Sequence, residues 1–179
     1  MSHARPLALV ALAAAALAAP LPFASTARAD GAPVNLSLFT PIQIVPASKS
    51  VSGLRLDLIY GRNVNVTGVD WGLVNHDTGT GFAWQAGAVN LVEKDFTGWQ
   101  EGWVNMTKDT FTGFQDGLFN SSDSMNGFAL GVVNVTKHMH GVQVGVFNMT
   151  ETMHGLQIGV ANVIQKGKIP VLPIVNWTF

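Results

Sequence analysis

The chain has no cysteine, one tyrosine and few charges: Lys, Arg, Asp and Glu together make 12% of its 179 residues. Without Cys there is no disulfide framework, thiolate metal site, thiol nucleophile or lipid-modified cysteine. Ten basic residues against 11 acidic ones give a formal charge of −1. That balance excludes nucleic-acid binding through phosphates, which needs a clustered positive field. No P-loop, GxSxG, HExxH or dinucleotide fingerprint is present. Low charge with a 47% hydrophobic content and 19 glycines is equally unlike a disordered chain. These absences point to a Gly-rich folded protein without an enzyme's signature.

What is present begins with an export signal. Arg5 supplies a positive start, Leu7 to Ala19 an apolar run, and Ala27-Arg28-Ala29 a small-x-small cleavage site. The apolar run is shorter than the ~20 residues of a membrane-spanning helix. Residues 1–29 are therefore expected to be a cleaved signal peptide, residues 30–52 a lead-in or cap, and residues 53–179 a repeat domain.

The repeat is a phrase G-h-x-h-G-h-h-N, with h apolar. Gly155 to Asn162 (GLQIGVAN) echoes Gly141 to Asn148 (GVQVGVFN), Gly127 to Asn134 (GFALGVVN) and Gly113 to Asn120 (GFQDGLFN). Before these stand Gly98 to Asn105 (GWQEGWVN), Ala83 to Asn90 (AWQAGAVN) and Gly68 to Asn75 (GVDWGLVN). Degenerate copies open the array at Gly53 to Tyr60 and close it at Ile169 to Asn176. The residues that define the repeat are its paired glycines (Gly68 with Gly72, Gly98 with Gly102, Gly113 with Gly117, Gly127 with Gly131, Gly141 with Gly145, Gly155 with Gly159) and its asparagines. Counting Tyr60 as the first, equivalent Asn positions are four times fifteen and then four times fourteen residues apart.

Period-two alternation, Gly density and β-branched content make each unit a strand, not a helix. Two all-β architectures fit. In a β-solenoid each unit is one coil, stacked in parallel on the next at about 4.8 Å. In an outer-membrane barrel each unit is one antiparallel crossing. In a meander, a one-residue change of period swaps the two faces of every later strand. The step from fifteen to fourteen after Asn120 leaves both faces unchanged, so the solenoid is favoured. A column of stacked Asn amides, bonding to each other and to turn backbone at ~1 kcal/mol each, agrees with it. The alternating aromatic end, Val175, Trp177 and Phe179, keeps the barrel as the alternative.

The odd side of each unit (Val142, Val144, Val146) is expected to be core, together with Trp71, Trp84, Trp99 and Trp103. The even Gly/Gln side, including Gly131 and Gly145, is expected to be a flat outer surface for a partner. Glu101 and Asp116 share one repeat position on the odd side, so a paired carboxylate, or a locally wet sheet, is expected there. His140 and His154 share another position fourteen residues apart, at a turn, where two imidazoles alone do not make a metal site. Trp99 and Trp103 are candidates for sugar or membrane-interface contact. The N-x-T triplets at Asn105, Asn134, Asn148 and Asn176 arise from the repeat itself, without any sugar.

The stretch LSLFTPIQIVP from Leu36, then GLRLDLIYGRN, GVDWGLVN, the G-h-Q-h-G-h-h-N units and the closing LPIVNWTF resemble an uncharacterised bacterial surface-repeat family with a signal peptide and an aromatic tail. Glu101, Asp116, Ile169 and Pro173 depart from its pattern. The resemblance implies an exported or surface-associated protein in the periplasm or outer membrane, and it implies no reaction. The expected function is therefore a non-enzymatic envelope scaffold without cofactor or metal, meeting an envelope partner, a glycan or a membrane, and no nucleic acid. A membrane barrel and a glycan-binding surface module are the alternatives.

Overall fold

A computed structural model describes residues 31–179, so the expected signal peptide lies outside the described residues. Strands β1 (Ala32–Phe39), β2 (Ile42–Gln43), β3 (Val51–Asn63), β4 (Val66–Asp77), β5 (Gly81–Val92), β6 (Phe96–Ile164) and β7 (Val171–Thr178) form one sheet in the order β2-β1-β3-β4-β5-β6-β7. From β1 to the start of β6 every pairing is parallel, and from β3 onward each step is one repeat: Gly53 faces Gly68, Gly68 faces Ala83, and Ala83 faces Gly98. The chain is a β-solenoid, and β6 runs without interruption through the five repeats from Gly98 to Asn162. Consecutive units stack in parallel and do not close into a barrel.

The sidedness of the coil is the reverse of the expectation. Gln85, Gln100, Gln143, Gln157 and every asparagine from Asn75 to Asn162 in the repeat are buried, whereas Trp71, Trp103 and Val160 are 63%, 67% and 71% exposed. The inner rows carry amides and glycines, and the glycines sit where one coil's backbone lies against the next. At Gly131 a Cβ would run into the carbonyl oxygen of Gly117, and at Gly145 into that of Gly131. Those glycines permit close backbone stacking; they are not a surface. The bulky odd residues are left outside.

Two amide ladders thread the interior. Each repeat Asn donates to the next coil's Asn Oδ1, from Asn75 through Asn162, at 2.7–2.8 Å. The same nitrogen reaches a carbonyl of the next coil (Ala86, Glu101, Asp116, Leu130, Val144 or Ile158), satisfying that backbone acceptor. The Gln ladder runs the opposite way and in two pieces, Gln115 to Gln100 to Gln85 and Gln157 to Gln143, broken where Ala129 takes the position. Each ladder ends on an oxygen without a partner, Asn75 Oδ1 at the first end and Gln157 Oε1 at the last. The apolar part of the interior is a column of Phe96, Phe111, Met125, Met139 and Met153, with the two Phe rings stacked at 5.5 Å.

Both ends differ from the sequence reading. Gly61, not Tyr60, sits in register with Asn75, because the register slips between Asp57 and Tyr60. The closing copy is not another coil: β7 turns back and pairs antiparallel with the last repeat, Gln157 opposite Asn176. Asn176 is buried yet leaves the ladder, donating instead to the Asn162 carbonyl at 3.3 Å. At the other end β1 stacks parallel on β3, and β2 folds antiparallel against β1.

Candidate functional site

With zero assigned to the first Gly of each phrase, positions one, three and five point outward. They make three rows that run along the stack. Row one carries Trp84, Trp99, Phe114 and Phe128, whose rings follow one another at 6.2, 5.7 and 5.4 Å. Row three carries Leu36, Leu56, Trp71, Ala86 and Glu101 in direct register, and Asp116 follows one repeat later. Row five carries Leu58, Leu73, Ala88, Trp103, Leu118, Val132, Val146 and Val160. Most of these large side chains are exposed. An apolar face of this extent far exceeds singly scattered surface residues, and large apolar patches are where proteins in general meet partners.

Rows three and five bound a trough. Its N-terminal stretch, about 870 Å³, lies among Leu36, Leu38, Ile42, Ile44, Leu56 and Leu58. Its continuation, about 600 Å³, is floored by Ala86, Gly87 and Ala88 and reaches Glu101, Trp103 and Asp116. Trp71, Gly72 and Leu73 belong to both stretches. Glu101 is exposed and Asp116 half-buried, so the two acids face outward, as a wet position requires, and not into a core.

His140 and His154 stand on adjacent coils with ring centroids 5.8 Å apart, and Phe179 meets His154 edge-on at 6.0 Å. Among the described residues no group of three His, Asp or Glu side chains is placed to hold a metal ion. Both histidines lie within β6, not at a turn, and neither lines the trough.

Two clusters escaped the sequence reading. Tyr60 Oη lies 2.8 Å from His76 Nδ1, and His76 Nε2 lies 2.9 Å from Glu93 Oε1, a relay on the turn side. Glu93 is held below the usual carboxylate range by its bond to His76 and by Lys108. The other cluster is buried in the first coils. Arg55 pairs with Asp70 through Nε and one terminal nitrogen, both at 2.6 Å, while Asp77 and Asp57 lie 2.6 and 3.1 Å away. Burial alone would lower the guanidinium's affinity for its proton, but Asp77, Asp70 and Asp57 outweigh it and raise that affinity. Burial pushes Asp57 up to about 7 and Asp77 up to about 8, against the pull of Arg55. The signal was the column itself: Arg55 and Asp70 occupy the position that holds Gln in every following coil but one, where it is Ala129.

Comparison with family models, curated proteins and solved structures finds no match.

Proposed function

We propose that this protein is an exported, non-enzymatic scaffold of a bacterial envelope that docks a partner on its outward apolar face. The observation that carries this reading is the exposure of large apolar side chains on rows one, three and five, which in row five includes every one from Leu58 to Val160. Water contact with so much apolar surface costs about 25 cal/mol per Å², and covering it recovers that free energy. The sequence features of a signal peptide and the resemblance to a surface-repeat family support export to the periplasm or outer surface. Glu101 and Asp116 have no base or nucleophile beside them on the face, which supports binding over chemistry.

The test is fractionation of cells making the tagged protein, followed by crosslinking from row five. A specific crosslinked envelope species at Leu118, lost in Trp103→Ser with Leu118→Ser, is the expected result. A soluble protein with no crosslinked species from any of the three rows would refute the reading. The ring row Trp84-Trp99-Phe114 favours a second reading, a glycan-binding module, since stacked rings suit sugar faces. Loss of glycan binding in Trp99→Ala would select it.

A further inference from the structure

We infer that the trough between rows three and five binds a single cationic amphiphile lengthwise, its alkyl chain on the N-terminal stretch and its ammonium head at Glu101 and Asp116. The inference rests on the docking face proposed above and names a ligand for one part of it. Three observations carry it.

The first is continuity. The two stretches of the trough share Trp71, Gly72 and Leu73, so one elongated ligand can lie along both. Along row three, Leu36, Leu56, Trp71, Ala86 and Glu101 are consecutive register partners. Four steps of about 4.8 Å span roughly 19 Å, enough to hold a ten-carbon chain with its head group at full length. The second is the gap at Ala86 and Ala88. Their rows carry Trp71 and Leu73 on one side and Glu101 and Trp103 on the other, so small side chains leave the passage open.

The third is charge. Glu101 and Asp116 are the sole charged residues in rows three and five, at the end of the trough opposite Ile42 and Ile44; Asp57 also borders the N-terminal stretch, but its side chain is buried beside Arg55. No ion pair of the described residues uses either carboxylate, and their bonds to Asn90 and Asn105 engage backbone carbonyls alone. The pair therefore offers two unneutralised acceptors beside the exposed Trp103 indole, a setting that attracts an ammonium by ion pairing and cation–π contact. An anionic head would be repelled from the same place. A face-to-face second copy centred on these coils would set four carboxylates against one another, which disfavours that occupant.

The test titrates the protein lacking residues 1–29 with decyltrimethylammonium below its micelle concentration, following the Ala86 and Ala88 methyl signals and tryptophan emission. Saturable binding is expected, about tenfold or more tighter than for decyl sulfate and for hexyltrimethylammonium. Glu101→Gln with Asp116→Asn should bring the decyl cation and decyl anion to within about twofold of each other. Ala88→Trp should abolish binding of both. It places in row five the residue that Trp103 already supplies one coil on, and an unchanged β-sheet spectrum confirms folding.

Equal affinity for the two decyl heads in the native protein, absence of saturation, or binding that survives Ala88→Trp would each overturn the inference. So would a native dimer that Ala88→Trp dissociates, since the occupant would then be a second copy. A failed titration beside an intact envelope crosslink would remove the ligand and leave the docking face standing.

Discussion

Asn134 donates its side-chain amide to Asn148 Oδ1 at 2.8 Å and to the Val144 carbonyl at 3.0 Å. One side chain thus joins two coils and satisfies a backbone carbonyl of the second. Asn134→Ala strands both acceptors and one proton of Asn120. An unsatisfied buried polar group costs about 1–3 kcal/mol, so a loss of roughly 2–4 kcal/mol is expected in urea unfolding. Asn134→Asp should do no better, because it sets an acceptor against the Asn148 oxygen. A loss below about 0.5 kcal/mol would show that the ladder contributes little.

Gly145 is expected to be intolerant where Val146, one residue on, is permissive. A Cβ at position 145 would collide with the Gly131 carbonyl and press on the Asn134 amide. Val146 is 52% exposed on the outward face. Gly145→Ala should sharply reduce soluble yield or the urea midpoint, while Val146→Ala should stay within about 0.5 kcal/mol of native. Folding, not partner binding, is what these glycines serve.

The antiparallel β7 closes an edge that would otherwise continue the parallel stack. Its register against Gly155–Val163 occupies the last coil's hydrogen-bonding groups. An exposed, untwisted edge is a template for pairing with another chain. Removal of residues 165–179 should therefore convert the protein to end-to-end oligomers, seen by sedimentation and electron microscopy. A truncated chain that stays the same size as native would mean that the end is closed by other means.

Much of this fold was legible because a solenoid repeats its contacts along with its sequence. The recurring Asn, the shift of period from fifteen to fourteen and the parallel stack are one fact seen from different sides. The direction in which each face points was not legible. Val142, Val144 and Val146 are the more apolar set, and in an ordinary sheet they would be core. Here the inward positions carry the hydrogen-bonding amides and the glycines that sit against the next coil's backbone, so amide pairing and close backbone stacking decided the outcome over hydrophobicity. Period-two alternation is also blind to chain direction, which is why Ile169 to Asn176 read as another unit when it is a reversed strand. At Tyr60 the bulge moved the column by one residue. Gly61 takes the place because the Asp57 carboxylate fills the space a larger residue would need. Glu101 and Asp116 were legible as a pair, and their place on an open trough followed only from the inverted faces.

The buried charges make a last expectation about pH. Three carboxylates, Asp57, Asp70 and Asp77, surround the single guanidinium of Arg55, and all four side chains are fully buried. One cation cannot balance three anions away from water, so burial raises Asp57 to about 7 and Asp77 to about 8 from an ordinary 3.8. The folded protein then holds more protons than the unfolded chain between those values. Stability must fall as pH rises wherever the native state binds the extra protons. The contribution is complete below about pH 4 and is lost as pH climbs through 7 and 8. Urea unfolding should show a higher midpoint at pH 5 than at pH 9. Asp57→Asn with Asp77→Asn, which keeps the shapes and removes two titrating groups, should flatten that slope. Arg55→Met should act in the opposite direction, because it leaves the carboxylates without their cation. Removing one partner of a buried ion pair costs about 3–5 kcal/mol, and here the loss should grow with pH. A pH-independent midpoint in the native protein would show that the cluster is already neutralised or reached by water.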